Sequence, residues 1–259
     1  GHLMGIWAGG RRENGPHAPM AHHMGAALGV DSYLHLNNQG KRFMDEDIPG
    51  QNIADQLSRV PEGPEGLRSW QIFDSKWPDE IAHMPDGHGY VNHFVPEDQI
   101  DQYQTVLAGF GLGYTTKEMV EGTQGLIKAD TIEDLASQMG LDAATVKASI
   151  DRYNEMCAAG HDSDFGKDSR RLFPVSEPPF YAYPVGVALL AIVGGLQINN
   201  RLQVLDTERK PIEGLYATGN VQGGRYLVEY PVTVAGISLG TALTFGRLAG
   251  ANAAAAVNA

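Results

Sequence analysis

The sequence predicts an α+β protein, and three observations carry that prediction. Residues 214–256 read as a short apolar strand, Leu215-Tyr216-Ala217, a polar bend at Thr218-Gly219-Asn220, a glycine pair at Gly223-Gly224 and, from about Ala235, a long helix of small residues. Tyr33 to Asn37 alternates as a half-buried strand does. Thr131 and Asp142 stand as N-caps before helical stretches, and Gly160 closes the second of them.

The elements follow in order. Arg11 to His23, with two prolines and with Gly15 and Gly25 in and after it, reads as a loop. Strand 33–37 turns at Gln39-Gly40. Residues 52–59 form a short helix, 62–66 a proline–glycine loop, Trp70 to Asp74 a strand and Lys76 to Met84 a short helix. Pro96 to Leu107 is predicted helical, with Glu97 and Asp98 as its acidic first turn. Ile132 to Met139 carries Glu133 and Asp134 in the same position. After Asp142, Val146, Ile150, Tyr153 and Cys157 make an apolar helical stripe. Pro174 to Tyr183 is extended, Val185 to Val193 apolar, and 200–212 a hairpin. Gly236, Gly240, Gly246 and Gly250 punctuate the last helix. Each glycine inside a helix costs about 1 kcal/mol against alanine, so four of them point to close approach by a ligand or another backbone.

Composition bounds the function. The 259 residues suffice for one large domain or two small ones. A net charge of −12 and a pI near 5.1 argue against nucleic acid and against anionic membrane surfaces. No apolar run reaches the roughly 18 residues of a membrane span. The lone Cys157 excludes an internal disulfide, and no CxxCH for c-type haem is present. His83, His88 and His93 lie at five-residue intervals, a spacing that enforces no metal geometry; a histidine-rich metal module is the weakest reading and no metal is assigned.

The run GLYATGNVQGG, followed by a loop and a glycine-led helix ending FGRLAGANAAAA, resembles the C-terminal signature of the FAD-dependent fumarate reductase and succinate dehydrogenase flavoprotein superfamily, to which the 3-ketosteroid dehydrogenases also belong. The resemblance implies FAD as cofactor. It places Gly219 and Asn220 against the ribityl and phosphate side of the flavin. Gly236 leads the helix, and backbone N–H groups near Ser238 and Leu239 face the pyrimidine edge, where a helix N-terminus stabilises negative charge. Gly1 to Gly10 resembles the family helix that ends in AGA. GKRFMDE (40–46) matches the family's GxRFxxE, with Arg42 and Glu46 spaced for an ion pair of structural or catalytic role. Gly194 to Asn199 matches GGLxID.

The resemblance implies a partial FAD-binding domain in 1–19 and 184–259 and a substrate-capping domain in 20–183. The family's opening GxGxxG strand–helix unit, which holds the FAD pyrophosphate, is not found in these 259 residues. The expectation is therefore a C-terminal fragment or one chain of a split enzyme lacking its Rossmann half, unless Gly-His-Leu-Met is a cloning scar. A small-molecule substrate, an N-terminal FAD-binding partner and self-association are the expected partnerships.

Substrate contacts are expected from His17 and His22, which also fit plain loop histidines, and from Gln51 and Thr233. Gln51 stands where fumarate reductases carry a proton-donating arginine, Ala191 where they carry a carboxylate-binding histidine, and Tyr230 or Thr233 where they carry a second arginine. Each lost charged contact costs roughly 1.5–3 kcal/mol, which argues against fumarate itself. The Tyr230-Pro231 pair instead resembles the ketosteroid dehydrogenases. Tyr230 is thus the expected catalytic hydrogen-bond or proton donor. Arg225 either holds an anionic substrate group or pairs with Glu229. The function implied is hydride transfer between flavin and an activated C–C bond α,β to a carbonyl; the alternatives are a non-catalytic fragment needing its FAD-binding half, and ketosteroid dehydrogenase-like activity.

Overall fold

The computed structural model describes residues 1–15, 18–24, 32–48, 50–83, 93–94, 96–100, 114–226, 230–231, 234 and 236–257. In chain order the elements are α1 (His2–Trp7), β1 (Ala18–Met24), β2 (Leu34–Asn37), α2 (Gly50–Ser58), β3 (Ser69–Phe73), α3 (Trp77–Glu80), β4 (His93–Phe94), β5 (Tyr114–Thr115), α4 (Lys117–Glu121), β6 (Ile127–Ala129), α5 (Ile132–Met139), α6 (Ala143–Ala159), β7 (Phe180–Val193), β8 (Gln203–Leu205), β9 (Pro211–Tyr216) and α7 (Ile237–Val257). The chain divides into two compact units. The terminal unit comprises Gly1–Ala21 with Leu189–Ala259, and the central unit His22–Ala188. The division falls within β1 and β7.

The central unit is built on a sheet of order β1-β7-β3-β2, with β6 also on β7; the β2–β3, β3–β7 and β6–β7 pairs are antiparallel. Leu34 faces Ile72 in the β2–β3 register, and Phe73 faces Tyr181 between β3 and β7. Every residue of β3 is buried, so its two faces serve two cores. Trp70 and Ile72 pack with Leu34, Leu36, Leu135, Val146, Ile150 and Tyr153 beneath α5 and α6. Phe73 points the other way, among Tyr33, Trp77, Ile81, Val120 and Tyr181. The period-two alternation of a strand produces that division.

Local capping chemistry ends the helices where the sequence predicts. Thr131 Oγ1 accepts from Asp134 N at 3.1 Å and Asp142 Oδ2 from Thr145 N at 2.9 Å. Gly160 closes α6 in the left-handed region at φ 63. Burial pushes the Cys157 thiol on this helix up to about 11, which keeps it protonated and inert.

Two expectations change. The loop expected over Arg11 to His23 becomes strand β1 at Ala18–Met24. Pro19 is compatible because β1 is the last strand of the sheet path, and an edge strand need not donate every N–H. The close approach expected at the glycines of the last helix is not made by the described part of this chain: among the described residues no atom lies within 4 Å of a Cβ built at Gly236, Gly240, Gly246 or Gly250. The helix predicted over Pro96 to Leu107 is described only at its start, as a short 3-10 turn at Glu97–Gln99 followed by helical Ile100; residues 101–107 lie outside the described residues.

Arg42 pairs with Glu46 through Nε at 2.9 Å and Nη2 at 2.8 Å, as the spacing predicts. The same Nη2 reaches Asp162 at 2.7 Å, and Lys167 Nζ lies 3.5 Å from Glu46 Oε2. Burial alone would raise the Glu46 carboxyl, but Lys167 and Arg42 beside it hold it below its ordinary value.

In the terminal unit, Leu196, Val204 and Ala217 form a small core with Ile198, Ile212, Leu215 and Val221. α7 is rich in small and apolar residues, yet Ala249 is its single buried residue among those described, and Leu239 (66 % exposed) and Leu243 (67 % exposed) face outward. Among the described residues no helix is long and apolar enough to cross a membrane.

Candidate active site

The terminal unit assembles a polar cluster at the start of α7. Gly236 precedes the helix at φ 74, a conformation that favours glycine, and turns the chain into it. In the first turn, Ser238 N donates to Tyr230 Oη at 3.2 Å. Thr241 Oγ1 donates to the Ile237 carbonyl at 2.8 Å and accepts from Arg225 Nη1 at 2.5 Å. The Arg225 guanidinium lies 5.3 Å from the Tyr226 ring centroid, and Tyr226 meets Tyr230 edge-on at 5.6 Å and 78°. One contact thus leads to the next, from helix to arginine to tyrosine to tyrosine and back to the helix.

The cluster is short of partners. Arg225 Nε and Nη2, Tyr226 Oη and Ser238 Oγ are buried atoms without a hydrogen bond among the described residues. Buried polar groups are ordinarily satisfied, so four orphan atoms in one cluster point to an absent polar group. Burial lowers the Arg225 pKa, against the opposing influence of Tyr226 and Tyr230.

Beside this cluster two glycine segments are pinned together. Leu196 N donates to the Val221 carbonyl and Gly223 N to the Leu196 carbonyl, each at 2.9 Å. A Cβ at Gly195 would stand 2.3 Å from Val221 O; only glycine permits this approach. Glu13 clamps both segments, Oε1 accepting from Gly195 N at 2.7 Å and Oε2 from Gly224 N at 2.5 Å.

Of the residues expected from sequence, Arg225, Tyr230 and Ser238 come together here, with Gly236 and the exposed Leu239 on either side of Ser238. Gly219 opens a 3-10 turn at φ 66, and a Cβ there would lie 3.8 Å from Ala242 Cβ of α7; Asn220 is exposed in the same turn. His22 and Gln51 belong to β1 and α2 of the central unit. His17, Thr233 and Glu229 lie outside the described residues. Thr241, Tyr226 and Glu13 were not expected. A threonine in the first turn of a small-residue helix is a local signal for the first, whereas the Glu13 clamp spans 182 and 211 residues and has none.

The residues fit the edge of a flat, electron-rich cofactor. An orphan Ser238 hydroxyl sits at a helix N-terminus, and among the described residues no atom lies within 4 Å of a Cβ at Gly236 or Gly240. The family model for the FAD binding domain matches residues 8–232, and the chain belongs to that family. FAD is the family's cofactor, and the chain has its mixed helix-and-sheet content.

Among curated relatives, a vinyl phenol reductase of Lactiplantibacillus plantarum is 41% identical over 91% of this chain and 45% of its own length. A probable fumarate reductase of Shewanella frigidimarina is 36% identical over 85% of this chain and 30% of its own. A 3-oxosteroid 1-dehydrogenase of Mycolicibacterium smegmatis is 28% identical over 85% and 38%. Among solved structures, the open conformation of a flavocytochrome c3 fumarate reductase superposes with a TM-score of 0.59 at 25% identity, over 98% of this chain and 39% of that one. A 3-ketosteroid Δ1-dehydrogenase from Sterolibacterium denitrificans gives 0.61 at 26% identity, over 98% and 46%. The chain spans less than half the length of each of these proteins.

Proposed function

We propose that this chain supplies the C-terminal part of the FAD-binding domain (1–19 and 184–259) and the substrate-capping domain (20–183) of an oxidoreductase that acts on a C–C bond α,β to a carbonyl or carboxyl. The bound flavin supplies the hydride acceptor and donor. The observation that carries the reading is the hydrogen bond from Ser238 N to Tyr230 Oη at the start of a 21-residue helix. Tyr230 accepts this bond, so its own O–H stays available to a substrate. A backbone donor and the positive end of α7 stabilise charge that develops on the phenol oxygen as its proton leaves. Tyr230 is thereby the proton donor, or the donor that polarises a carbonyl. Fumarate is disfavoured, because Gln51, Ala191 and Thr233 offer none of the charged groups that hold a dicarboxylate.

Gly219 and Asn220 would lie along the ribityl and phosphate side of FAD, with Gly236, Ser238 and Leu239 at its ring; His17 and His22 are proposed substrate contacts. The test is Tyr230→Phe in FAD-loaded protein. Its turnover of enones and enoates should fall by about 10²–10⁴-fold while the flavin spectrum is unchanged; unaltered turnover would remove Tyr230 from the chemistry.

A second reading is favoured by the exposed α7. Here the chain is a non-catalytic portion that gains flavin only with a GxGxxG strand–helix unit packed on that helix. Relatives more than twice as long support it. A featureless visible spectrum of the chain with FAD, turning to a flavin band when the other half is added, distinguishes the two. Ketosteroid substrates rest on the Tyr230-Pro231 likeness and are tested in the same panel.

A further inference from the structure

Arg225 is held at one end and open at the other. Its Nη1 donates to Thr241 Oγ1 at 2.5 Å, and Thr241 is itself fixed by donating to the Ile237 carbonyl at 2.8 Å. The guanidinium face rests on Tyr226, 5.3 Å from the ring centroid. What remains is the edge carrying Nε and Nη2, both buried and both without a partner among the described residues; Tyr226 Oη is likewise buried and unpartnered. Burying cationic N–H groups without an acceptor is costly, and no carboxylate among the described residues hydrogen-bonds or pairs with this half-buried guanidinium. The N–H bonds on that edge run parallel, a spacing that matches the two oxygens of a carboxylate.

We propose that Thr241 and Tyr226 are positioning residues that present the Nε–Nη2 edge of Arg225 to a substrate carboxylate, so that the site selects monocarboxylate enoates over neutral enones and amides. This rests on the C–C bond reaction proposed above and names its substrate class. Thr241 acts only through Arg225. A single arginine edge takes one carboxylate, consistent with the poor match to a dicarboxylate.

The experiment is calorimetric titration of the full chain, with FAD present, using trans-cinnamate and its neutral counterpart cinnamamide. Wild type should bind cinnamate at least about tenfold more tightly. Arg225→Lys and Thr241→Val should each weaken cinnamate about tenfold and leave cinnamamide unmoved. Thr241→Ser, which keeps the hydroxyl, should restore the wild-type preference; a merely structural role would move both probes alike. Equal affinity for the two probes, or no cinnamate binding, overturns the proposal. So does an Arg225→Lys variant that loses FAD affinity but not the cinnamate preference, which would assign the edge to the cofactor. The reaction itself fails separately: a retained preference for cinnamate with no turnover of any enoate or enone sinks the C–C bond chemistry and not the carboxylate edge.

Discussion

Glu80 closes α3 from a buried position, and burial pushes its carboxyl up to about 8, with the negative charges of Asp74 and Asp79 adding to the effect and Lys76 and Lys167 opposing it. In the unfolded chain the same group titrates near 4.5. A carboxyl whose folded pKa is raised contributes stability that is fully present below the unfolded value and is lost as pH climbs through the folded one. Between about pH 4.5 and 8 the central unit therefore loses stability through Glu80 at up to about 1.4 kcal/mol per pH unit, for a total on the order of 2–5 kcal/mol. Glu80→Gln removes the ionisation and should flatten that slope. The assay is urea unfolding at pH 5, 6.5 and 8, followed by tryptophan fluorescence. Trp70 and Trp77 are buried in the central unit, and Trp77 shares the structure of α3 with Glu80, whereas Trp7 is 77 % exposed and reports little. Wild type should weaken across the range and the variant should not. Parallel slopes in the two proteins would refute the reasoning.

Three further outcomes follow from named contacts. Gly195→Ala places a Cβ 2.3 Å from Val221 O, so the terminal unit should lose about 1–3 kcal/mol or more, read by proteolysis of residues 189–259 with the central unit intact. Thr131→Ala removes the cap of α5 and should cost about 1 kcal/mol in chemical denaturation. Exposed Leu239, Leu243 and Leu248 should make the isolated chain associate with rising concentration, and glutamate at 243 and 248 should return it to monomer by sedimentation velocity.

What could be read in the sequence was local. The caps at Thr131 and Asp142, the stop at Gly160 and the four-residue spacing of Arg42 and Glu46 are fixed by neighbours within one helical turn, and each is present. The strand at Ala18–Met24 was not legible, because its stability comes from a place at the sheet edge and its Pro19 resembles loop chemistry. Asp162, 120 residues from Arg42, completes that ion network invisibly. At the candidate site, Tyr230 and Arg225 were reached through their likeness to a family loop. Thr241, which holds Arg225, and Glu13, which ties two glycine segments together, emerge only from the packing.

The most direct measurement is a visible absorption titration of the purified chain with FAD, supplied with the GxGxxG half if the chain alone stays colourless, then photoreduced without oxygen and mixed with an enoate. The account predicts a near-stoichiometric flavin band that bleaches on reduction and returns on mixing, with the return slowed about 10²–10⁴-fold in Tyr230→Phe. A protein that takes up no flavin with or without that half, or a bleached band that no enoate or enone restores, would contradict it.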